Sequence, residues 1–214
     1  MIKLSDKAEF ILIVGVSFSY FVMTSAVTLL AGTRHIDLTT DRVLIGILIE
    51  SLIFCVVAFV LWARGWSVRR LGLRFSWQAA AAGIPLFIIY LLVYWVTATL
   101  VLLVVPSARA SMFTMTARAP FWLMVLFFVV NSLFEELTVT GYVISSLATE
   151  GAGIAITAST LLRFSYYLYQ GPFAAVSILP LGLLFGALYW RRRNLWPLIV
   201  AHTIVNVLVF ALTS

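Results

Sequence analysis

The sequence has little charge and almost no cysteine. Only 10% of its 214 residues are Asp, Glu, Lys or Arg, and only eight of those are acidic. A soluble domain is closer to a quarter charged. Cys55 is the single cysteine, so an intrachain disulfide framework is excluded. With 63% hydrophobic residues and a mean hydropathy of +1.10, the composition indicates a polytopic membrane protein rather than a soluble domain with a large core.

The basic residues do not indicate a nucleic-acid-binding protein. The formal net charge is +6. However, the basic residues cluster at the ends of apolar segments rather than on one solvated face. We therefore expect no nucleic-acid partner.

Long apolar runs predict the fold. A span of the bilayer requires about 20 apolar residues. Seven such runs predict an all-α protein of about seven transmembrane helices, which are at residues 9–31, 43–63, 79–105, 120–148, 152–169, 172–190 and 195–213. Without an internal repeat or a soluble segment, residues 1–214 form a single membrane domain. A tight turn, Gln170-Gly171-Pro172, separates the fifth and sixth spans.

The distribution of Lys and Arg predicts the orientation. Nine fall on one side, which are Lys3, Lys7, Arg64, Arg69, Arg70, Arg74, Arg191, Arg192 and Arg193. Four fall on the other side, which are Arg34, Arg42, Arg109 and Arg118. The positive-inside rule then places the N-terminus in the cytoplasm of a multi-pass protein of the cell membrane. Residues 107–119 form the longest predicted outer loop.

Five ionisable residues lie within the predicted spans, which are Glu50, Glu135, Glu136, Arg163 and His202. Charged side chains at such depth are costly unless they are paired or face a polar cavity, so each is a candidate functional residue. Arg163 is an obvious partner for the glutamates. Glu50 is the least informative of the five, and a structural role is favoured, in which it neutralises Arg163 or is protonated.

Two pairs of polar residues share a helix face at four-residue spacing. His202 and Asn206 form one pair, and Arg163 and Tyr167 form the other. The His–Asn pair is suited to hold a water, an amide or a metal, or to join two helices by a hydrogen bond. Glu135 and Glu136 point about 100° apart on an α-helix, so one is expected to face the cavity and the other to support it.

Three runs of residues resemble the motifs of one family. Residues 135–142, EELTVTGY, resemble E-E-x-x-x-R-G-Y, and residues 163–171, RFSYYLYQG, resemble R-x-S-Y-H-L-Y-Q-G. Residues 202–206, HTIVN, match H-x-x-x-N. In this order, these motifs are similar to those of the CPBP family, which comprises type II CAAX prenyl proteases and bacteriocin-processing enzymes. The resemblance covers about residues 68–210.

The resemblance implies an intramembrane site. Glu135 would activate a water molecule and Glu136 would support it. His202 and Asn206 would hold the water or stabilise an oxyanion, with Arg163 and Tyr166 in supporting positions. Participation of a metal is disputed in the family.

Two motif positions depart from the family pattern. Thr140 replaces the motif arginine, and Tyr167 replaces the second-motif histidine. Thr140 retains one hydrogen-bond donor. Tyr167 has no ring nitrogen and is a poor zinc ligand beside imidazole, so we expect no metal and no other cofactor.

Three functions remain open from the sequence. The first is a weak, altered or non-catalytic relative that binds a lipidated or transmembrane protein in the lipid membrane. The second is an active CAAX-type intramembrane endopeptidase using Glu135. The third is a small proton-coupled transporter using Glu50 and the glutamate pair, which the absence of repeated halves disfavours.

Overall fold

The computed structural model describes residues 4–107 and 114–213. Lys3 and Arg109, which contributed to the predicted orientation, lie outside the described residues, as does much of the predicted outer loop at residues 107–119. Every feature below belongs to the described part of the chain.

The all-α membrane fold is confirmed. The α-helices are α1 (Asp6–Leu30), α2 (Thr40–Ala63), α3 (Trp77–Ala81), α4 (Gly83–Val104), α5 (Phe121–Glu135), α6 (Val143–Ser146), α7 (Ala152–Tyr167), α8 (Gly171–Arg192) and α9 (Trp196–Thr213). A π-helix, Glu136–Tyr142, joins α5 to α6, and short 3₁₀ turns, Ala148–Glu150 and Leu168–Gln170, flank α7.

Four described helical segments are long and apolar enough to cross a membrane, which are Asp6–Leu30, Thr40–Ala63, Trp77–Val104 and Phe121–Ser146. A shorter apolar helix covers Trp196–Leu212. The predicted fifth span corresponds to α7, whose 16 residues fall short of the length that a simple crossing requires. The protein is therefore a multi-pass membrane protein, and the count of seven spans stays a prediction.

Local sequence accounts for several helix boundaries. The hydroxyl groups of Ser5, Thr39 and Ser76 cap the first turns of α1, α2 and α3, where unpaired backbone N–H groups need an acceptor. Between α7 and α8, Gly171 has a φ of +87°, a conformation that residues with a Cβ rarely adopt. The predicted turn at this position is confirmed.

A short strand pair was not predicted. β1 (His35–Leu38) and β2 (Thr114–Ala117) are parallel, with His35 opposite Thr114. Both segments lie between predicted spans, and four-residue strands are too short for an alternating pattern to be recognised. The pair connects the loop after α1 to the segment before α5.

Close helix contacts hold together the part of the bundle that carries the three motifs. A Cβ on Gly182 in α8 would lie 2.9 Å from Thr160 Cγ2 in α7, and one on Gly83 in α4 would lie 2.6 Å from Val200 Cβ in α9. Small residues permit such approaches between membrane helices. As a result, α7 and α9 bring their polar residues to the buried π-helix.

Candidate functional site

The π-helix carries the first motif into the centre of the bundle. All seven of its residues are buried. Because a π-helix disrupts the regular i→i−4 pattern, its backbone needs other partners. Ser159 Oγ, from α7, donates to the Val139 carbonyl at 2.8 Å, and Thr138 Oγ1 donates to the Phe134 carbonyl at 2.6 Å. Single π-turns occur frequently at functional sites.

Glu136 is the fully buried member of the glutamate pair. Its Oε1 accepts hydrogen bonds from Arg163 Nη2 at 2.9 Å and from His202 Nδ1 at 2.8 Å, and its Oε2 accepts one from Thr140 Oγ1 at 2.7 Å. Since a carboxylate only accepts, this contact assigns the ring proton of His202 to Nδ1. In the neutral ring, Nε2 is then an acceptor.

Glu135 has a different set of partners. Its Oε2 accepts hydrogen bonds from Tyr166 Oη at 2.7 Å and Arg163 Nη1 at 3.2 Å. Its Oε1 has two longer contacts, with Asn131 Nδ2 at 3.3 Å and Tyr167 Oη at 3.4 Å. The residue is 5% exposed. Glu135 is therefore held by α5 and α7, whereas His202 of α9 contacts Glu136.

Arg163 connects the two glutamates. Its guanidinium pairs with both, and Nη2 also donates to Thr140 Oγ1 at 3.2 Å. Arg163 was expected to pair with an intramembrane glutamate, and the pairs that form are those with Glu135 and Glu136. Thr140 occupies the motif-arginine position, and its hydroxyl group donates a hydrogen bond to Glu136.

Comparison with known families agrees with this arrangement. Residues 117–208 match the family model described as Type II CAAX prenyl endopeptidase Rce1-like. The matched region contains all three motifs and every member of the Glu135–Glu136–Arg163–His202 network. Residues 117–208 are thus similar to the CPBP family. No curated protein and no solved structure matches the chain.

Within the matched region, Asn206 is not part of this hydrogen-bond network. It lies one turn after His202 on α9 and is half-buried. Among the described residues, its side chain has no hydrogen-bond partner, so the pair does not make the helix-joining His–Asn hydrogen bond. One hydrogen-bond network connects Glu135, Arg163, Tyr167 and His202. Asn206 is close to His202 in sequence, but its amide takes no part in that network.

The side-chain amide of Asn131 connects Glu50 to the first motif. Asn131 Nδ2 donates to Glu50 Oε1 at 2.9 Å and to Glu135 Oε1 at 3.3 Å. Glu50 is only 3% exposed, and its Oε2 has no partner among the described residues. Its hydrogen-bond partner is therefore Asn131. The expected alternative, in which Glu50 neutralises Arg163, is not seen among the described residues.

A second buried polar cluster was missed. Glu9, in the first turn of α1, accepts hydrogen bonds from Arg64 Nε at 2.5 Å, Trp66 Nε1 at 2.8 Å and Tyr142 Oη at 3.3 Å. Glu9 was overlooked because it lies at the edge of its predicted span. Tyr142 ends the first motif, so this cluster fixes the far end of the π-helix to α1 and α2.

The side chains of this network do not fit a zinc ion. Zinc in proteins takes three or four ligands from Cys, His, Asp and Glu. Within the described ranges, no group of three or more such residues is arranged to hold a metal. The two motif carboxylates instead contact the Arg163 guanidinium at 3.2 and 2.9 Å, where a cation would be repelled.

Proposed function

We propose that this CPBP-family protein binds a lipidated or transmembrane protein in the membrane without cleaving it. The observation that supports the proposal best is the set of contacts around Glu135. A carboxylate offers about four lone-pair sites. Glu135 uses them for Tyr166, Arg163, Asn131 and Tyr167.

A general base must accept a proton from the water that it activates. With four donors around it, the Glu135 carboxyl group has no unoccupied acceptor site for a water molecule. The replacement of the second-motif histidine adds to this effect. At that position Tyr167 donates a hydrogen bond to Glu135, whereas a neutral imidazole could also accept one.

Polar groups suited to binding remain available. His202 Nε2 is an acceptor once Nδ1 donates to Glu136. Asn206 supplies both amide donors and an acceptor on the same face of α9. A peptide segment that enters the bundle needs such partners for its backbone, because unsatisfied N–H and C=O groups are costly inside a membrane. The family resemblance favours a lipidated protein as the partner.

The second candidate is an active CAAX-type endopeptidase. Retention of both glutamates, His202 and Asn206 favours it. The contacts at Glu135 Oε1 are the longest in the network, so a water molecule could displace Tyr167 there. Glu135 would then take a proton from that water as its oxygen attacks the peptide carbonyl, with Asn206 or Tyr167 donating to the oxyanion. On the contacts described above, we rank this candidate second.

A binding measurement on the full chain tests the first proposal. The protein is reconstituted in nanodiscs, and a fluorescent farnesylated peptide ending in a CAAX sequence is titrated. We expect saturable binding that weakens about tenfold in Asn206→Ala, because one hydrogen bond to the peptide is lost. The control is Thr203→Ala on the same helix, which should bind as the wild type does. Equal binding to empty nanodiscs would contradict the proposal.

A further inference from the structure

Two loops at one end of the helical bundle form a single surface. The first follows α2 and the second joins α8 to α9. Leu195 N donates to the Gly72 carbonyl at 2.9 Å, and Asn194 Nδ2 donates to the Arg74 carbonyl at 3.1 Å. Gly72 has a φ of +81°, and a Cβ there would lie 2.7 Å from the Tyr189 ring. These contacts fix the position of each loop relative to the other.

The surface is strongly basic. We define the basic surface by Arg69, Arg70, Arg74, Arg191, Arg192 and Arg193, of which all but Arg193 are exposed. Residues 64–78 and 189–196 contain no Asp or Glu. In the described part of the chain, none of the six arginines makes a salt bridge. Their charges are therefore not neutralised within the protein.

The aromatic residues beside this surface are of the type found at the level of the lipid headgroups. The guanidinium of Arg70 lies 3.7 Å from the centre of the Trp66 ring, and that of Arg193 lies 4.6 Å from the centre of the Trp190 ring. Trp77, which is 79% exposed, begins the helix that follows. Tryptophan is enriched at membrane–water interfaces. Three long helices, α2, α8 and α9, also begin or end at these loops.

The opposite end of the bundle differs. Arg118 Nε lies 3.7 Å from the Asp37 carboxylate, and Arg42 Nη1 donates to the Asp37 carbonyl at 3.0 Å. Part of the basic charge is thus neutralised there by a residue of the protein itself. The described arginines of this end, Arg34, Arg42 and Arg118, supply an internal control for a variant that removes three arginines from the basic surface.

We propose that the basic surface binds anionic phospholipid headgroups. Guanidinium groups form bidentate hydrogen bonds with phosphate oxygens. Two rigidly joined loops present several of them without a competing carboxylate, at the depth where lipid phosphates lie. This proposal goes beyond the binding of a protein partner and does not depend on it.

The test compares retained lipid in the purified full chain. Protein is reconstituted in nanodiscs of phosphatidylcholine mixed with phosphatidylglycerol, and the lipids that remain bound are identified by native mass spectrometry. The wild type should retain phosphatidylglycerol preferentially. In the triple variant R69Q/R70Q/R74Q, the preference for phosphatidylglycerol over phosphatidylcholine should fall by at least about tenfold. Each arginine near an anionic surface strengthens binding about fivefold.

Three controls make the result specific. R69K/R70K/R74K keeps the charge and should retain most of the preference. R34Q/R42Q/R118Q removes three arginines at the opposite end and should leave it intact. Inorganic phosphate added to phosphatidylcholine nanodiscs should not bind measurably, because a free anion is not held at the interface. Unchanged phosphatidylglycerol preference in a folded R69Q/R70Q/R74Q, or an equal loss in R34Q/R42Q/R118Q, would overturn the proposal.

Discussion

Arg163 Nη2 lies 2.9 Å from Oε1 of Glu136, and both side chains are almost completely buried. The pair links the first and second CPBP motifs, and His202 of the third motif contacts the same carboxylate oxygen at 2.8 Å. Removing one member of a buried ion pair leaves an uncompensated charge in a medium of low dielectric constant. The stability of the fold is therefore expected to depend on residues that the family resemblance assigns to a catalytic site.

Replacing Arg163 with alanine should destabilise the protein strongly. We expect a loss of about 3–5 kcal/mol, because two carboxylates lose their shared counter-charge. Thermal unfolding of detergent-purified protein measures the effect. The matched control is Arg118→Ala, whose exposed ion pair with Asp37 should contribute less than about 1 kcal/mol. Similar unfolding temperatures for the two variants would show that the buried pair is not essential to the fold.

Glu50 and Asn131 should be energetically coupled. Asn131 donates a hydrogen bond to Glu50 at 2.9 Å. The losses in the free energy of unfolding caused by Glu50→Ala and Asn131→Ala should therefore not be additive, with a coupling energy of about 0.5–3 kcal/mol. Glu50→Gln keeps an oxygen acceptor and should recover much of the loss caused by Glu50→Ala. A double-mutant cycle in chemical denaturation measures the coupling. Strict additivity would contradict the contact.

Gly141 of the first motif should not tolerate a side chain. A Cβ there would lie 2.9 Å from Leu195 Cδ1 and 3.1 Å from the Leu71 carbonyl oxygen. We expect Gly141→Ala to cost about 1–3 kcal/mol, as overpacking usually does. Gly153→Ala is the control, because a Cβ at that helical position meets nothing within 4 Å. It should be neutral or stabilising by up to about 1 kcal/mol, since alanine favours a helix over glycine. A higher unfolding temperature for Gly141→Ala than for Gly153→Ala would show that residue 141 is not closely packed.

Cysteine labelling tests the predicted orientation in the cell membrane. In a Cys55→Ser background, a membrane-impermeant maleimide added to intact cells should label Arg118→Cys but not Arg192→Cys. The expectation follows from the excess of Lys and Arg on the side of residue 192. Labelling at position 192 from outside would show that the N-terminus is not cytoplasmic.

Much of this arrangement was predictable from the sequence. Apolar runs locate the helices because length and hydropathy are local properties. A buried arginine must find a carboxylate, which identified the intramembrane glutamates as candidate partners of Arg163. The π-helix was not predictable, because one of its backbone carbonyls, that of Val139, takes its hydrogen bond from Ser159 of another helix. The Glu9 cluster likewise requires contacts between segments more than 50 residues apart. Such long-range pairing has no periodic signal in a single sequence.

The central claim is that the site binds a partner without peptide hydrolysis. The most direct test is mass-spectrometric detection of cleavage of a farnesylated CAAX peptide by the purified, reconstituted chain. The wild type should show no more product than Glu135→Gln, and any gain should appear only in Tyr167→His, with or without Thr140→Arg, where motif groups are restored. Robust cleavage by the wild type that Glu135→Gln abolishes would contradict the account and establish the endopeptidase instead.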